Sequence, residues 1–282
     1  MSWSECAAAS DFVQRRRSEL LAHESRHCLA WGAVNRCQSA PKKVATTRFL
    51  TYTTGSISSA HALLTDHDQH LILSAMTDFE AGQLGDYLRR RQTTLLTVEG
   101  PAHRAAQFVA DWTEERGVKE RTRMNQGLYE LRTVSDMPSV AGAMVCATED
   151  HLEHTERLMQ GFIGSIREQP IDAEQISERA RRTVAERRAY LWQLPDRRIV
   201  SLSAIVRETP NTASISWVDT APAARRNGYA AQLVAALSQA QLDRGKSACN
   251  LHTDLDNPTS NAIYRGIGYR LIARSLRVRL TA

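Results

Sequence analysis

Ile215-Ser216-Trp217-Val218-Asp219-Thr220-Ala221-Pro222-Ala223-Ala224-Arg225-Arg226-Asn227-Gly228-Tyr229-Ala230-Ala231 reads as a strand, a basic turn and the start of a helix. The helix runs on from Tyr229 to Asp243. The first turn of a helix leaves backbone N–H groups without intrahelical acceptors, and the helix dipole makes that end attractive to negative charge. Gly228 lets the backbone come close to a phosphate with no Cβ in the way. Arg225 and Arg226 add positive charge. This combination predicts a cradle for a diphosphate.

The surroundings sharpen that reading. Arg225-x-x-Gly228-x-Ala230 follows Val218-Asp219-Thr220-Ala221-Pro222 and precedes the helical run Ala231-Gln232-Leu233-Val234-Ala235-Ala236-Leu237. Ser247-Ala248-Cys249-Asn250-Leu251-His252-Thr253-Asp254 reads as a further strand. After it comes Asn257-Pro258-Thr259-Ser260-Asn261-Ala262-Ile263-Tyr264-Arg265-Gly266-Ile267-Gly268-Tyr269. Taken in this order, these segments resemble the GCN5-related N-acetyltransferases (GNAT), and within them the FR47-like branch. They match the (Q/R)-x-x-G-x-(G/A) turn, the V-x-x-x-P end of the fourth strand and the N-x-x-A-x-x-x-Y-x-x-x-G-F segment. Ser260 stands for the family's Ala and Tyr269 for its Phe. The resemblance covers residues from about 142 to 282.

It implies an acetyl-CoA-dependent N-acetyltransferase acting on a primary amine, small molecule or peptide, by direct attack. Coenzyme A would be held by Val218, Asp219, Thr220, Arg225, Arg226, Asn227, Gly228, Tyr229, Ala230, Ala231, Asn257, Ser260 and Tyr264. The amides of Arg226 to Ala231 would take the diphosphate. Val218 to Thr220 would pair with the pantetheine arm like an added strand, in a gap splayed open beside Leu251 to Asp254, and Asn257 would bond a pantetheine amide. A backbone N–H near Val218 is the expected oxyanion donor, and Tyr264 the expected general acid for the departing thiolate. Gly268-Tyr269 reads as structural. Glu208, Asp219, Asp254, His252 and water all stand as candidate bases. An adaptor that binds acyl-CoA without turnover is the alternative on the same cradle.

The bulk properties are compatible with two globular domains. The chain has 282 residues, 42% of them hydrophobic, and a net charge of +5. Its arginines are spread over helices with nearby glutamates, so a solvated face explains them better than nucleic acid does. No apolar run reaches the roughly 18 residues of a membrane span, and the N-terminus lacks a signal pattern. A cytoplasmic location is expected, and the five cysteines read as reduced thiols. A second copy of the chain is left open as a partner.

The expected fold is α/β, with a mixed sheet. A GNAT domain with splayed central strands occupies 141–282, after an α/β domain at 1–140 that is a candidate degenerate copy. In the first domain, Asp11 to Arg36 reads as one helix capped by Ser10, with a break at Ser39 to Lys43. Ala60 to Leu64 reads as a short helix, and Val118 to Thr133 as a hairpin turning at Asn125-Gln126-Gly127. Glu99-Gly100-Pro101-Ala102, where a second cradle is sought, is acidic and carries proline in place of an amide donor. The second domain is expected to run β-α-α-β-β-β-α-β-α-β-β.

One motif points elsewhere. His23-Glu24-Ser25-Arg26-His27 fits H-E-x-x-H, and on a helix its two histidines would share a face and could ligate zinc with Glu24 as base. That would make a metallopeptidase. A third ligand is missing from the pattern, with Ala30 and Ala33 where the extended motif has glycine and histidine, so no metal is expected. His67-Asp68-Gln69-His70 reads as a turn.

Overall fold

A computed structural model of the chain describes residues 1–39, 47–55, 57–65, 69–166 and 172–281. The break near Pro41 and the residues His67 and Asp68 lie outside the described residues. The chain divides into two compact units. The first comprises Met1–Leu128, His252–Pro258 and Leu271–Ala282; the second, Tyr129–Leu251 and Thr259–Arg270.

Through the first half the order is β1 (Ser2–Glu5), α1 (Ala9–Ala22), α2 (Cys28–Ser39), β2 (Thr47–Thr54), β3 (Ile57–Thr65), β4 (His70–Leu73), α3 (Asp78–Arg90), β5 (Thr97–Pro101), α4 (Ala102–Arg116) and β6 (Glu120–Leu131). The second half runs β7 (Ala143–Cys146), α5 (Leu152–Ser165), α6 (Ala173–Ala185), β8 (Ala189–Gln193), β9 (Ile199–Glu208), β10 (Thr212–Thr220), α7 (Tyr229–Asp243), β11 (Ala248–Asp254), α8 (Pro258–Ile267) and β12 (Arg270–Leu280). Apart from two 3-10 turns, the second half repeats the first element for element. The pairings repeat too. The antiparallel series β1, β2, β3, β4 matches β7, β8, β9, β10, and the parallel pair β4 with β5 matches β10 with β11. The N-terminal half therefore copies the architecture of the C-terminal half. A single strand, β12, follows α8, where the sequence suggested two.

In the first unit, β12 lies antiparallel to β5, pairing Leu276 with Gly100 and Val278 with Val98. Alternation along the strands sends side chains to two cores. Leu50, Tyr52, Leu276, Val278 and Leu280 meet Leu84, Leu88, Phe108 and Trp112 of α3 and α4. Phe49, Leu63 and Ile72 meet Phe12, Leu20, Trp31 and Val34 of α1 and α2. In the second unit, Leu191, Leu202 and Trp217 pack against Leu158, Met159, Ile176 and Val184 of α5 and α6. Trp192, Leu194 and Val200 pack against Leu233 of α7.

Three expected elements differ. The helix over Asp11 to Arg36 is two helices, because residues 23–27 form a turn. Its start is capped by the Ala8 backbone, with Ser10 already inside α1. Ala60 to Leu64 is strand: its buried run is taken up in pairing with both β2 and β4, and this overrides the helical preference of Ala and Leu. In place of the hairpin expected over Val118 to Thr133 there is one long strand, Glu120–Leu131, with Asn125, Gln126 and Gly127 inside it.

Candidate active site

The site begins in an irregularity of β10. Ser216 pairs with Ala204 and Asp219 with Leu202, so β10 carries one residue more than β9 across this stretch. The extra residue makes a β-bulge at Trp217-Val218. Trp217 adopts φ +57, a left-handed conformation for a bulky side chain. Such strain costs about 1–3 kcal/mol and persists only where the surroundings impose it. Here Trp217 is buried, with the Phe162 ring 5.1 Å away and the Arg179 guanidinium 5.6 Å from its own ring centre. The bulge interrupts the regular use of backbone groups beside Val218, the place where an oxyanion donor is expected.

Next to the bulge the two parallel strands part. Pairing of β10 with β11 runs only over Thr212 to Ser214 against Ala248 to Asn250. At the base of the divergence Ser214 donates to Asn250 Oδ1 at 2.7 Å, and Asn250 Nδ2 donates to Thr212 Oγ1 at 3.2 Å. This buried clasp closes one end of the pair. Beyond it, among the described residues, Ile215 to Thr220 make no ladder with β11, as the expected splay requires.

β10 then leads into the cradle. A 3-10 turn at Pro222–Ala224 precedes Arg226 at φ +68 and Gly228 at φ +79, which stands at the N-cap of α7. A Cβ on Gly228 would meet only Val140 at ordinary contact distance, so the backbone angle rather than crowding calls for glycine. No side chain caps α7. Gln232 N–H reaches Gly228 O, and among the described residues the amides of Tyr229, Ala230 and Ala231 have no acceptor. Arg226, Asn227 and Gly228 are exposed; Tyr229, Ala230 and Ala231 are half-buried. Asn227 Nδ2 bonds Ala224 O and Arg225 O, both at 3.1 Å, and so shapes the turn. Free amides, two left-handed residues and an exposed arginine make the start of α7 suited to an anion.

Arg225 does not join that group. Its Nε donates to Thr220 O at 2.9 Å and its Nη2 to Asp219 Oδ1 at 3.3 Å. Val218 is half-buried, while Asp219 and Thr220 are each 8% exposed. Burial pushes the Asp219 carboxyl above its ordinary range, and Arg225 draws it back. Asp219 shares with Trp217 the face covered by α5, since a Cβ on Gly161 would come 2.4 Å from Asp219 Oδ2. Sequence reasoning overlooked Gly161. A glycine inside a helix, which costs about 1 kcal/mol against alanine, is the kind of signal that marks a close approach.

On α8, Ser260 is half-buried and Tyr264 is buried. Burial raises the Tyr264 phenol to about 12, so it holds its proton through the neutral range. Its ring meets Tyr269 edge-on at 6.0 Å, and Tyr269 bonds Ser238 at 2.8 Å. Gly268 sits at φ +113, where a Cβ would lie 2.8 Å from Thr133 O. Gly268-Tyr269 is thus a structural pair. Asn257 is exposed and belongs to the first unit; its N–H bonds Asp254 O, while Asp254 Oδ1 accepts from Asp256 N. Asp254 therefore organises this loop. Glu208 is paired with Arg188 at 3.2 Å and Lys246 at 3.5 Å. His252 is half-buried in the first unit.

The first unit's counterpart of the cradle is the β4–α3 junction, by element order, and not Glu99 to Ala102 as the sequence suggested. There Thr77 and Glu80 form a reciprocal capping box that takes up amide donors, and Asp78 and Glu80 place negative charge in the first turn. The parallel pair stays closed as well: Ile72 pairs with Glu99, and a Cβ on Gly100 would lie 2.8 Å from Leu73 Cβ. A diphosphate would meet occupied donors and two carboxylates.

His23 to His27 are not helical, so the shared face needed for zinc is lost. His27 is held to about 4 by burial and by Arg16, with Nε2 3.6 Å from Glu19. Among the described residues no group of three or more His, Cys, Asp or Glu side chains could hold a metal ion. No helix among them is long and apolar enough to cross a membrane.

Known proteins are similar to this arrangement in two ways. The FR47-like protein family matches residues 196–278. Among solved structures, a Drosophila protein superposes with TM-score 0.72 at 13% identity, covering 99% of this chain and 98% of that one. A GCN5-related N-acetyltransferase from Sphaerobacter thermophilus gives 0.62 at 14%, covering 98% and 95%. A tandem GNAT protein from the clavulanic acid biosynthesis pathway gives 0.56 at 11%, covering 98% of each chain. At these identities the likeness is one of fold. No curated protein matches the sequence. Residues 196–278 carry the signature of the FR47-like family, set in a chain with the fold of GCN5-related N-acetyltransferases.

Proposed function

We propose that the protein is an acetyl-CoA-dependent N-acetyltransferase whose C-terminal half holds the cofactor and transfers its acetyl group to a primary amine. One observation carries this reading. A left-handed bulge, a parting of parallel strands and an uncapped helix start occur along one short segment, from Ser214 to Ala231. Each opens backbone groups that a regular sheet and helix would use internally.

The residues fit coenzyme A. The amides of Tyr229 to Ala231 and the Arg226 side chain would hold the diphosphate. Backbone groups of Val218 to Thr220 would align the pantetheine arm in the manner of an added strand. When bound, the cofactor supplies a thioester carbon as electrophile and a thiolate as leaving group. A backbone N–H at the bulge would stabilise charge developing on the carbonyl oxygen, preorganised by the packing of Trp217. Tyr264, protonated and buried, would supply a proton to the thiolate. Ser260 would bond the pantetheine. The N-terminal copy, with its capped and acidic helix start, would bind no coenzyme A.

Calorimetric titration with acetyl-CoA, followed by a thiol-release screen over amines, amino acids and peptide N-termini, tests the reading. One coenzyme A site per chain and release with an amine are expected. Gly228→Glu should abolish binding. Failure of wild type to bind acetyl-CoA overturns the proposal, and binding without release under every amine would favour an adaptor.

A further inference from the structure

We propose that Arg225 is a positioning residue that braces the strained end of β10, and that the cofactor's phosphates are left to Arg226 and the α7 amides. This rests on the acetyl-transfer reading above. The sequence places the two arginines side by side, yet the structure gives them different work. Two donors of the Arg225 guanidinium are committed to the strand behind it, Nε to Thr220 O and Nη2 to Asp219 Oδ1. Arg226 turns left-handed and is exposed, and among the described residues no carboxylate pairs with it.

The brace continues into the unit. Asp219 is buried, and its Oδ2 fills the slot that Gly161 leaves on α5. Ser201 Oγ donates to Asp219 O at 2.7 Å and lies 3.0 Å from Thr220 Oγ1. The carbonyls of Asp219 and Thr220 are therefore held by Ser201 and Arg225, one each. These two residues directly follow the bulge, whose left-handed Trp217 needs a surrounding that fixes it. A salt bridge with one partner half-exposed contributes little on its own. Here the second donor holds a backbone carbonyl and the carboxylate is buried, so the fork fixes a direction as well as a charge. The series Gly161, Asp219, Arg225 sets where the amide groups beside Val218 point.

Calorimetry with coenzyme A and amide hydrogen exchange over residues 214–222 test the assignment on Arg225→Ala, Asp219→Asn and Gly161→Ala, with Arg226→Ala for comparison. Arg225→Ala should keep its coenzyme A Kd within about threefold, whereas Arg226→Ala should weaken it by about tenfold through loss of a charge-assisted phosphate contact. Exchange at residues 217–221 should quicken by about tenfold or more in Arg225→Ala, Asp219→Asn and Gly161→Ala, since local opening becomes easier. Arg225→Lys keeps the charge and loses the fork; it should also retain coenzyme A and exchange faster, and it serves if the alanine variant does not fold. An affinity loss in Arg225→Ala equal to that of Arg226→Ala, or unchanged exchange, overturns the proposal. If wild type binds no coenzyme A, the acetyl-transfer reading fails, and the exchange arm still decides whether Arg225 is a brace.

Discussion

Glu99 Oε2 lies 3.2 Å from His70 Nε2, joining β5 to β4, and 3.6 Å from Arg277 of β12. Burial alone would raise this carboxyl, but contact with His70 and the charge of Arg277 outweigh it and hold Glu99 at about 2. A carboxyl depressed from about 4.5 to about 2 contributes on the order of 3 kcal/mol. That stability is present above pH 4.5 and lost as pH falls towards 2. Thermal melts of Glu99→Gln should show a lower Tm at neutral pH and a flatter dependence between pH 4.5 and 2. An unchanged acid profile would show that the contact does not stabilise the fold.

His27 gives a second, separate pH window. Its imidazole is held at about 4 by burial and by the nearby Arg16 charge. The unfolded chain takes up its proton near pH 6.5 and the folded chain does not, so stability is full above 6.5 and falls as pH drops towards 4. The loss is on the order of 3 kcal/mol. His27→Phe should lessen the slope of the Tm profile in that window, with buried His61 beside it supplying the remaining slope because burial also holds its imidazole well below its ordinary value.

Tyr264→Phe separates proton donation from packing. The ring stays buried beside Tyr269 and only the hydroxyl is lost. Steady-state kinetics should show kcat down roughly a hundredfold, in the range of general acid catalysis, with little change in coenzyme A affinity. A phenol held at about 12 should also leave the alkaline side of the pH–rate profile without a break from Tyr264 through the neutral range. If kcat is unchanged, the residue is packing alone.

Gly268→Ala should be costly without touching cofactor binding in the folded fraction. Its φ is +113 and the new Cβ would lie 2.8 Å from Thr133 O. A denaturant titration should give a loss of about 2–3 kcal/mol, from backbone strain and the clash together. A change below about 0.5 kcal/mol would mean that residues 133–135 move aside at little cost.

The cradle was legible because its signals are local: apolar strand residues, a glycine at a positive-φ position and a helix with regular periodicity. The bulge at Trp217 was not, because it exists only as a count of residues against β9. Both arginines looked alike as charges, and only geometry shows Arg225 turned back on Thr220. The single helix expected across His23 to His27 was misleading, since Trp31 Nε1 reaches back to Leu20 O and α2 folds onto α1. Asn125-Gln126-Gly127 carry turn residues, yet long-range pairing keeps them extended. The repeat itself was visible only faintly, and the sequence aligned its second cradle with the β5–α4 junction, because that segment too runs strand then helix.

The strand β12 comes after every other described element in chain order, yet Leu276, Val278 and Leu280 are core residues of the first unit. Val98 waits for Val278, about 180 residues later in the chain. Contacts of such separation slow folding and leave the earlier half exposed meanwhile. A nascent chain halted after the first ten elements would lack one wall of its own core. The first unit can close only once β12 has been made, and deleting residues 271–281 should therefore unfold the part of the chain that runs from residue 1 to β5 and α4.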